Sequence, residues 1–475
     1  MLLEIHAHSS DHSRCSKVDP VTLVRQAHYK GVQGIVITEH QYLWSADELA
    51  RLRIKCEVEN NFLILAAQEA VTDIGHILVY GAVDSIESET TLEDIRKRFP
   101  DAALVWAHPF RSGRIPTKED LTNPLLDAVE IFNVNQDVKE NYLGLCKWHE
   151  HKFTAVSGSD AHTKEAAAIF PTEFYHPILD IRDVAAEIRR GRCKPFLKEI
   201  PRSGSNIVVT EITMGTKGGD EFRTRLIVKK ISDDKVWHKS QQSLEIRQAL
   251  YESGFDSGKY RVPKTISVDD NRSLIVEEGQ RGSMLFDVLG YIKRDIGLEY
   301  FKITAEWLAR LHNLRLHITG AESAIGRERK RLAGYEEYFA QTGNSHSKEV
   351  SALIPAVREK EEQIFTDHAR AFVQCHGDYH PKNIIIGQDR ARDISTLFVS
   401  VIDFDNSIML PPSFDVGYFL SQFRYQFHKS LDILKDYSQA QFIKSYKNAA
   451  ASVPDDFVDQ VELFKIRANM SIASF

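Results

Sequence analysis

Short apolar runs rich in β-branched residues recur through roughly the first 200 positions: LLEI at 2–5, GIVIT at 34–38, FLILAA at 62–67, ALVWA at 103–107, AVEIF at 128–132 and FTAVS at 153–157. Between them apolar residues return at helical spacing, as in PVTLVRQAHYKG, where Gly31 supplies the stop. Strand and helix in alternation predict a mostly parallel α/β sheet or barrel of roughly six or seven βα units. After the helical pattern IRDVAAEIRRG comes KPFLKEIPRSGSN, whose Pro, Ser, Gly and charge read as a linker. The boundary is placed near Ser203, giving domains at 1–202 and 203–475. The second half opens with two β-like runs around a Gly-containing turn, IVVTEITMGTKGGDEFRTRLIVKKI, and then becomes mainly helical. A small sheet-bearing lobe followed by a helical lobe is expected. The basic cluster RERKR at 327–331 is read as a solvated helix face rather than a phosphate or nucleic-acid patch.

A length of 475 residues exceeds one comfortable core and leaves room for two functions. The composition, 43% hydrophobic and 27% charged, is that of a folded globular chain, and a formal charge of -7 gives no general attraction to nucleic acid or anionic lipid. The five cysteines are scattered without paired spacing, which fits free thiols in a reducing compartment. No run approaches the ~18 apolar residues of a membrane span, and a cytoplasmic protein is expected. Oligomeric state is not legible.

Histidines and carboxylates fall just past the predicted strand ends. His6 and His8 follow the first run, His40 the second, Glu69 the third and His108 the fourth, while Asp160 and His162 follow the sixth; His76 lies in IGHILVYG. On parallel strands these side chains gather at the carboxyl face of the sheet, where α/β enzymes build their sites. Imidazoles and carboxylates together suit divalent transition metals such as Mn, Zn or Fe. A lone HxH is weak evidence: His149 and His151 form another, read as polar helix surface. The agreement of six such sites, five past strand ends and His76 beside them, carries the argument.

The motifs HAHS, ITEH, EAVTDIGH, AHPFR and GSDAH occur in the order that resembles the polymerase-and-histidinol-phosphatase (PHP) phosphoesterases, over about residues 1–197. The resemblance implies a distorted seven-stranded (β/α) barrel and a centre of two or three metals. It would place His6, His8, Glu69 and Asp160 on one ion, Glu69, His76 and His108 on a second, and His40 and His162 on a third. Members with a full third site carry Asp or His five or six residues past the second His; here those positions are Ser13 and Arg14, and His12 stands as either a substitute ligand or a surface residue. Arg14 and Arg111 are candidates for the substrate phosphate, because guanidinium matches phosphate in bidentate fashion, or lie on the surface.

In CHGDYHPKN, His376, Asp378 and Asn383 have the H-x-D-x-x-x-x-N spacing of a kinase catalytic loop, and VIDFD supplies Asp403 twenty residues on, with Asp405 as its alternative. Asp378 reads as the base for an acceptor hydroxyl, and Asn383 and Asp403 as holders of the Mg on ATP. HGDYHPKN, IDFD and PSFDVGYFL resemble the aminoglycoside phosphotransferase and choline kinase group over residues ~205–475. That resemblance implies an α+β, protein-kinase-like, two-lobed domain, an Asp at 415 buttressing the catalytic loop, and an inter-lobe hinge in LIVEEGQRGSML. Lys229, with Lys230 as rival, is the candidate ATP lysine and Glu245 its partner; Gly215, Gly218 and Gly219 could let a loop approach the phosphates.

The expectation is a bifunctional enzyme: metal-dependent hydrolysis of a small phosphoester, and ATP- and Mg-dependent phosphorylation of a small alcohol. The competing reading is a single phosphoesterase or nuclease regulated by a silent, nucleotide-binding second half.

Overall fold

All six apolar runs of the first half become strands, and three more join them. The computed structural model describes residues 1–474 apart from 87, 204–206, 217–223, 368, 391 and 392. The strands are β1 (Leu2–Glu4), β2 (Gly34–His40), β3 (Leu63–Thr72), β4 (Gly75–Tyr80), β5 (Ala103–Trp106), β6 (Ala128–Phe132), β7 (Ala155–Ser157), β8 (Thr172–Phe174) and β9 (Cys193–Pro195). They form one nine-stranded sheet in the order β7-β6-β5-β4-β3-β2-β1-β8-β9. The expected count was seven. The extra strands pair antiparallel: β4 folds back on β3, and β8 and β9 continue from β1. The sheet curls until it is nearly barrel-shaped. Where the edge strand β7 approaches β8, Ser157 N donates to Thr172 Oγ1 at 3.0 Å, and that hydroxyl donates to Ser157 O at 2.7 Å.

The helix Pro20–Tyr29 shows why the local pattern is obeyed. Asp19 caps it by accepting from Thr22 N, proline occupies its first turn, and Gly31 at φ 80° ends it. Its buried face, Leu23, Val24 and Ala27, packs on Ile35 and Ile37 of β2.

The chain divides into two compact units, residues 1–203 with 209–228, and residues 204–208 with 229–475. The described part of KPFLKEIPRSGSN is not an irregular linker: after β9, Leu197–Ser203 is also a strand. Residues 209–228, expected in the second domain, belong to the first unit. There Thr216 N donates to Ile169 O at 2.9 Å and Thr216 Oγ1 to Ala168 O at 2.8 Å.

In the second unit the long helix Arg294–Asn313 supplies Phe301 and Trp307 to a core shared with Phe419 and Phe423 of the helix Ser413–Gln426. The antiparallel pairs Ile384–Gln388 with Leu397–Val401, and Val373–Cys375 with Ile408–Leu410, frame the loops that carry the HxD and DFD motifs. Among the described residues no helix is long and apolar enough to cross a membrane.

Candidate active sites

The strand directions gather the first cluster. His40 ends β2, Glu69 lies in β3, and His6 and His8 follow β1. His76 reaches the same face by a different route, since β4 runs antiparallel and brings its start to where its neighbours end. His108 and Asp160 adopt φ 34° and 48°, left-handed values uncommon outside glycine.

Glu69 is the centre. Its Oε1 lies 2.7 Å from His76 Nδ1 and 3.2 Å from His108 Nε2, and its Oε2 lies 3.0 Å from His40 Nδ1 and 3.2 Å from His8 Nε2. His6 Nε2 is 3.7 Å from Glu69 Oε2 and 3.4 Å from Asp160 Oδ1, while His8 Nε2 is 3.1 Å from the same Asp160 oxygen. His162 Nδ1 stands 3.6 Å from Asp160 Oδ1. His6, His8, Glu69 and Asp160 are each at most 2% exposed.

Burial works against ionisation of Glu69, yet His108, His40, His6 and His76 hold its carboxyl well below the usual range. Burial also opposes a charged His8, but Asp160 and Glu69 push it up to about 9. The pocket thus demands positive charge. Glu69 Oε2 is buried and accepts no well-directed hydrogen bond, although imidazole nitrogens surround it. The ligand atoms of His6, His8 and Asp160, of His40, Glu69 and His76, and of His8, His40 and His162 lie within 4.8 Å of one another in each set. Nitrogen and carboxylate donors converging on one buried point fit divalent transition metals.

Of the phosphate candidates, Arg111 reaches the cluster, its Nη1 3.9 Å from Asp160 Oδ2, whereas Arg14 is exposed. His12 does not join. Its ring stacks on Tyr42 with centroids 3.7 Å apart and its Nε2 lies 3.7 Å from Glu48, because the side chain turns toward the Ala46–Cys56 helix. Cys15 Sγ instead stands 3.1 Å from His162 Nε2.

Sequence reasoning missed the supporting carboxylates. Glu130 of β6 accepts from His6 Nδ1 at 2.9 Å, and its other oxygen from His108 N at 3.0 Å and Asn133 Nδ2 at 2.9 Å. Glu39 accepts from the hydroxyls of Ser9 and Ser13 and from Trp44 Nε1. Asn135 Nδ2 donates to Asp160 Oδ2 at 2.8 Å. The available signal was a glutamate inside an otherwise apolar strand, as in AVEIF, which must be satisfied to be buried.

The second cluster hangs on Asp415. Fully buried, it accepts from His376 N at 2.6 Å, Gly377 N at 2.9 Å and His312 Nε2 at 3.1 Å, which fixes the loop before Asp378. Gly377 takes φ 80°, and a Cβ there would stand 1.9 Å from Asn406 O, so only glycine fits. Asp378 Oδ1 accepts from Tyr418 Oη at 2.7 Å, and Asp378 O from Asn383 Nδ2 at 3.0 Å. Ile402 N donates to Asn383 O at 3.0 Å and Ile402 O accepts from His376 Nε2 at 3.0 Å, which brings Asp403 alongside at φ 68°. Burial and the adjacent Asp405 raise the Asp403 carboxyl above its usual range, against the pull of Lys229. Crowded carboxylates beside a lysine suit a divalent cation carrying phosphate oxygens.

Lys229 pairs with Glu277 at 3.2 Å rather than with Glu245, which is exposed on the Asp234–Leu250 helix. That helix turns Arg247 inward, to 2.7 Å from Glu277. Burial opposes ionisation of Glu277, but Lys229 and Arg247 hold its carboxyl below the usual range. Lys230 points to solvent. Gly215 packs against Ile169 in the first unit, and Gly218 and Gly219 lie outside the described residues.

No curated protein matches the chain. Among solved structures, the ethanolamine kinase of Plasmodium vivax is 14% identical, covering 58% of this chain and 73% of its own, at a TM-score of 0.38. The aminoglycoside phosphotransferase APH(3'')-Id from Streptomyces rimosus is 15% identical over 58% of this chain and 93% of its own, with a TM-score of 0.39. The macrolide 2'-phosphotransferase MphH from Brachybacterium faecium is 13% identical over 58% of this chain and 85% of its own, at 0.36. Over residues 216–450 the chain matches the phosphotransferase enzyme family, which gives its C-terminal region kinase-like phosphotransferase character.

Proposed function

We propose that this chain couples two phosphate chemistries: its first unit hydrolyses a small phosphoester with the help of bound divalent metal, and its second transfers the γ-phosphate of ATP to the hydroxyl of a small molecule. The observation that carries the first half is the single carboxylate of Glu69, buried among His6, His8, His40, His76 and His108. His6, His8, Glu69 and Asp160 would hold one ion, Glu69, His76 and His108 a second, and His40 and His162 a third. Such ions, when bound, supply an activated water and neutralise phosphoryl oxygens. The chain's own part is orientation. Glu130 fixes the tautomer of His6 so that Nε2 faces the cluster, and Arg111 presents an exposed guanidinium at its rim for a substrate phosphate.

In the second unit Asp378 takes the acceptor proton, with Tyr418 and Asn383 setting its position. Asn383 and Asp403 would hold Mg, and Lys229, oriented by Glu277, would meet the nucleotide phosphates. The presence of Asp378, Asn383 and Asp403 around one loop supports transfer over a silent nucleotide-binding role.

The test is to assay the full chain in two ways: with Mn and a panel of phosphoesters lacking ATP, and with Mg-ATP and a panel of small alcohols. Hydrolysis in the first assay and alcohol-dependent ADP formation in the second are expected. No hydrolysis by metal-loaded protein would remove the first half of the reading, and no ADP formation with any alcohol the second.

A further inference from the structure

The basic segment RERKR lies on the helix Ala321–Gln341. Part of it is the solvated face the sequence suggests, with Arg329 bound to Glu362 at 2.6 and 2.7 Å. The rest turns inward. Glu328 is fully buried and accepts from Arg331 Nη1 at 3.2 Å and from Arg467, itself only 2% exposed on the helix Phe457–Ala473. Arg327 is half-buried: its Nη2 donates to Ser407 O at 3.4 Å, and its Nε is buried without any hydrogen-bond partner. Arg467 Nε is likewise unpartnered, 4.0 Å from Glu361.

The charges do not balance. Three guanidiniums, those of Arg327, Arg331 and Arg467, face two carboxyls, and burial pushes one of these, Glu361, up to about 8, so that it is mostly neutral at pH 7. Glu328 serves two arginines and no carboxylate pairs with Arg327 among the described residues. Burial and the neighbouring Arg331 and Arg467 hold Arg327 below the usual guanidinium range, with Glu328 only partly compensating. With Arg467 buried, Arg327 half-buried and Arg331 partly exposed, this surplus positive charge is partly withdrawn from water, which is costly unless something negative meets it.

Its position gives that surplus a purpose. Ser407, which accepts from Arg327, donates its own hydroxyl to Cys375 O, one residue before the catalytic loop. The Arg467 guanidinium lies 5.9 Å from the Phe414 ring, Phe414 stacks on Tyr418, and Tyr418 donates to Asp378. The positive charge of Arg467 and Arg331 is felt at the Tyr418 phenol, where burial and Asp378 prevail over it.

We infer that the phosphate acceptor is an anionic alcohol, a small hydroxy compound bearing a carboxylate or a phosphate, whose negative group is bound by Arg327 and Arg331 while its hydroxyl lies at Asp378. This rests on the phosphotransferase reading and narrows it. In the transfer the acceptor oxygen bonds the γ-phosphorus, the bond from that phosphorus to the β,γ-bridging oxygen breaks to release ADP, and the hydroxyl proton passes to Asp378. Guanidinium suits either anion, since both accept its paired donors.

The experiment measures ADP release by the full chain with Mg-ATP and four probes: glycerol, ethanolamine, glycerate and glycerol 3-phosphate. The expected result is a kcat/KM at least about 10-fold higher for glycerate or glycerol 3-phosphate than for the other two, the better of the pair identifying the anion. Arg327→Gln should raise the acceptor KM by about 10- to 100-fold with the KM for ATP unchanged, and Arg327→Lys should restore part of the loss. Arg331→Gln provides the same measurement if Arg327→Gln does not fold. Equal or faster turnover of the neutral or cationic probe, or an unchanged acceptor KM in a folded variant, overturns the inference. No ADP release with any probe, together with no binding of Mg-ATP by calorimetry, overturns the phosphotransferase reading beneath it.

Discussion

At Gly158 even a methyl group is excluded, because a Cβ would stand 2.4 Å from both Glu130 Oε1 and His6 Cβ. Gly158→Ala should therefore displace His6, cost about 1–3 kcal/mol as overpacking does, and lower the metal retained by the purified protein; thermal melts and elemental analysis read the two effects. Glu130→Gln tests the neighbouring contact more gently. It keeps the shape but removes the charge that orients His6, so affinity for Mn should fall about 10- to 100-fold in a metal titration. In the second unit Tyr418→Phe deletes the hydroxyl that holds Asp378. A hydrogen bond to a charged group contributes about 1.5–3 kcal/mol, so kcat for transfer should drop at least about 10-fold while Mg-ATP affinity by calorimetry stays unchanged.

At the level of helices and strands, a pH effect follows from the helices Ala321–Gln341, Ser347–Asp367 and Phe457–Ala473, which bury Glu361 beside Arg467. Burial raises the Glu361 carboxyl from 4.5 to about 8, against Arg467, with Glu328 and Glu362 raising it further. The folded state therefore holds a proton there that the unfolded chain has lost. Its contribution is fully present below about pH 4.5 and is lost as pH rises to about 8, so Glu361→Gln should flatten the fall of urea midpoint across that window. These elements also show what the sequence could reveal. The long helices and six strands were legible because period and length agree. The strands β8 and β9, three residues each, are too short to carry a period, and the reversal at β4 depends on a hairpin that pattern alone does not direct. Glu277 was missed as the partner of Lys229 because the pair spans 48 residues and two strands, a contact that spacing along one helix cannot indicate. Likewise RERKR reads as surface until the helix Phe457–Ala473 supplies Arg467 against it.

For the molecule as a whole, each proposed chemistry has its residues in its own unit, so the two should separate by mutation. Asp378→Asn should reduce transfer by about 100- to 10,000-fold and leave phosphoester hydrolysis near wild type, while His108→Ala should do the reverse; assaying both activities in both variants decides it. Loss of hydrolysis in folded Asp378→Asn without ATP would mean one composite site. Yet the polypeptide is not divided as cleanly as its chemistry. It passes from one unit to the other between residues 203 and 204, again between 208 and 209, and finally between 228 and 229, inside the strand Thr224–Ile231. Residues 209–228, including the Thr216 that is tied to Ala168 and Ile169, stay with the first unit. A chain cut after residue 203 would take from the first unit most of the strand Ile207–Met214 and the start of Thr224–Ile231, and a cut after residue 228 would divide Thr224–Ile231 itself, so neither boundary releases one unit without breaking a strand.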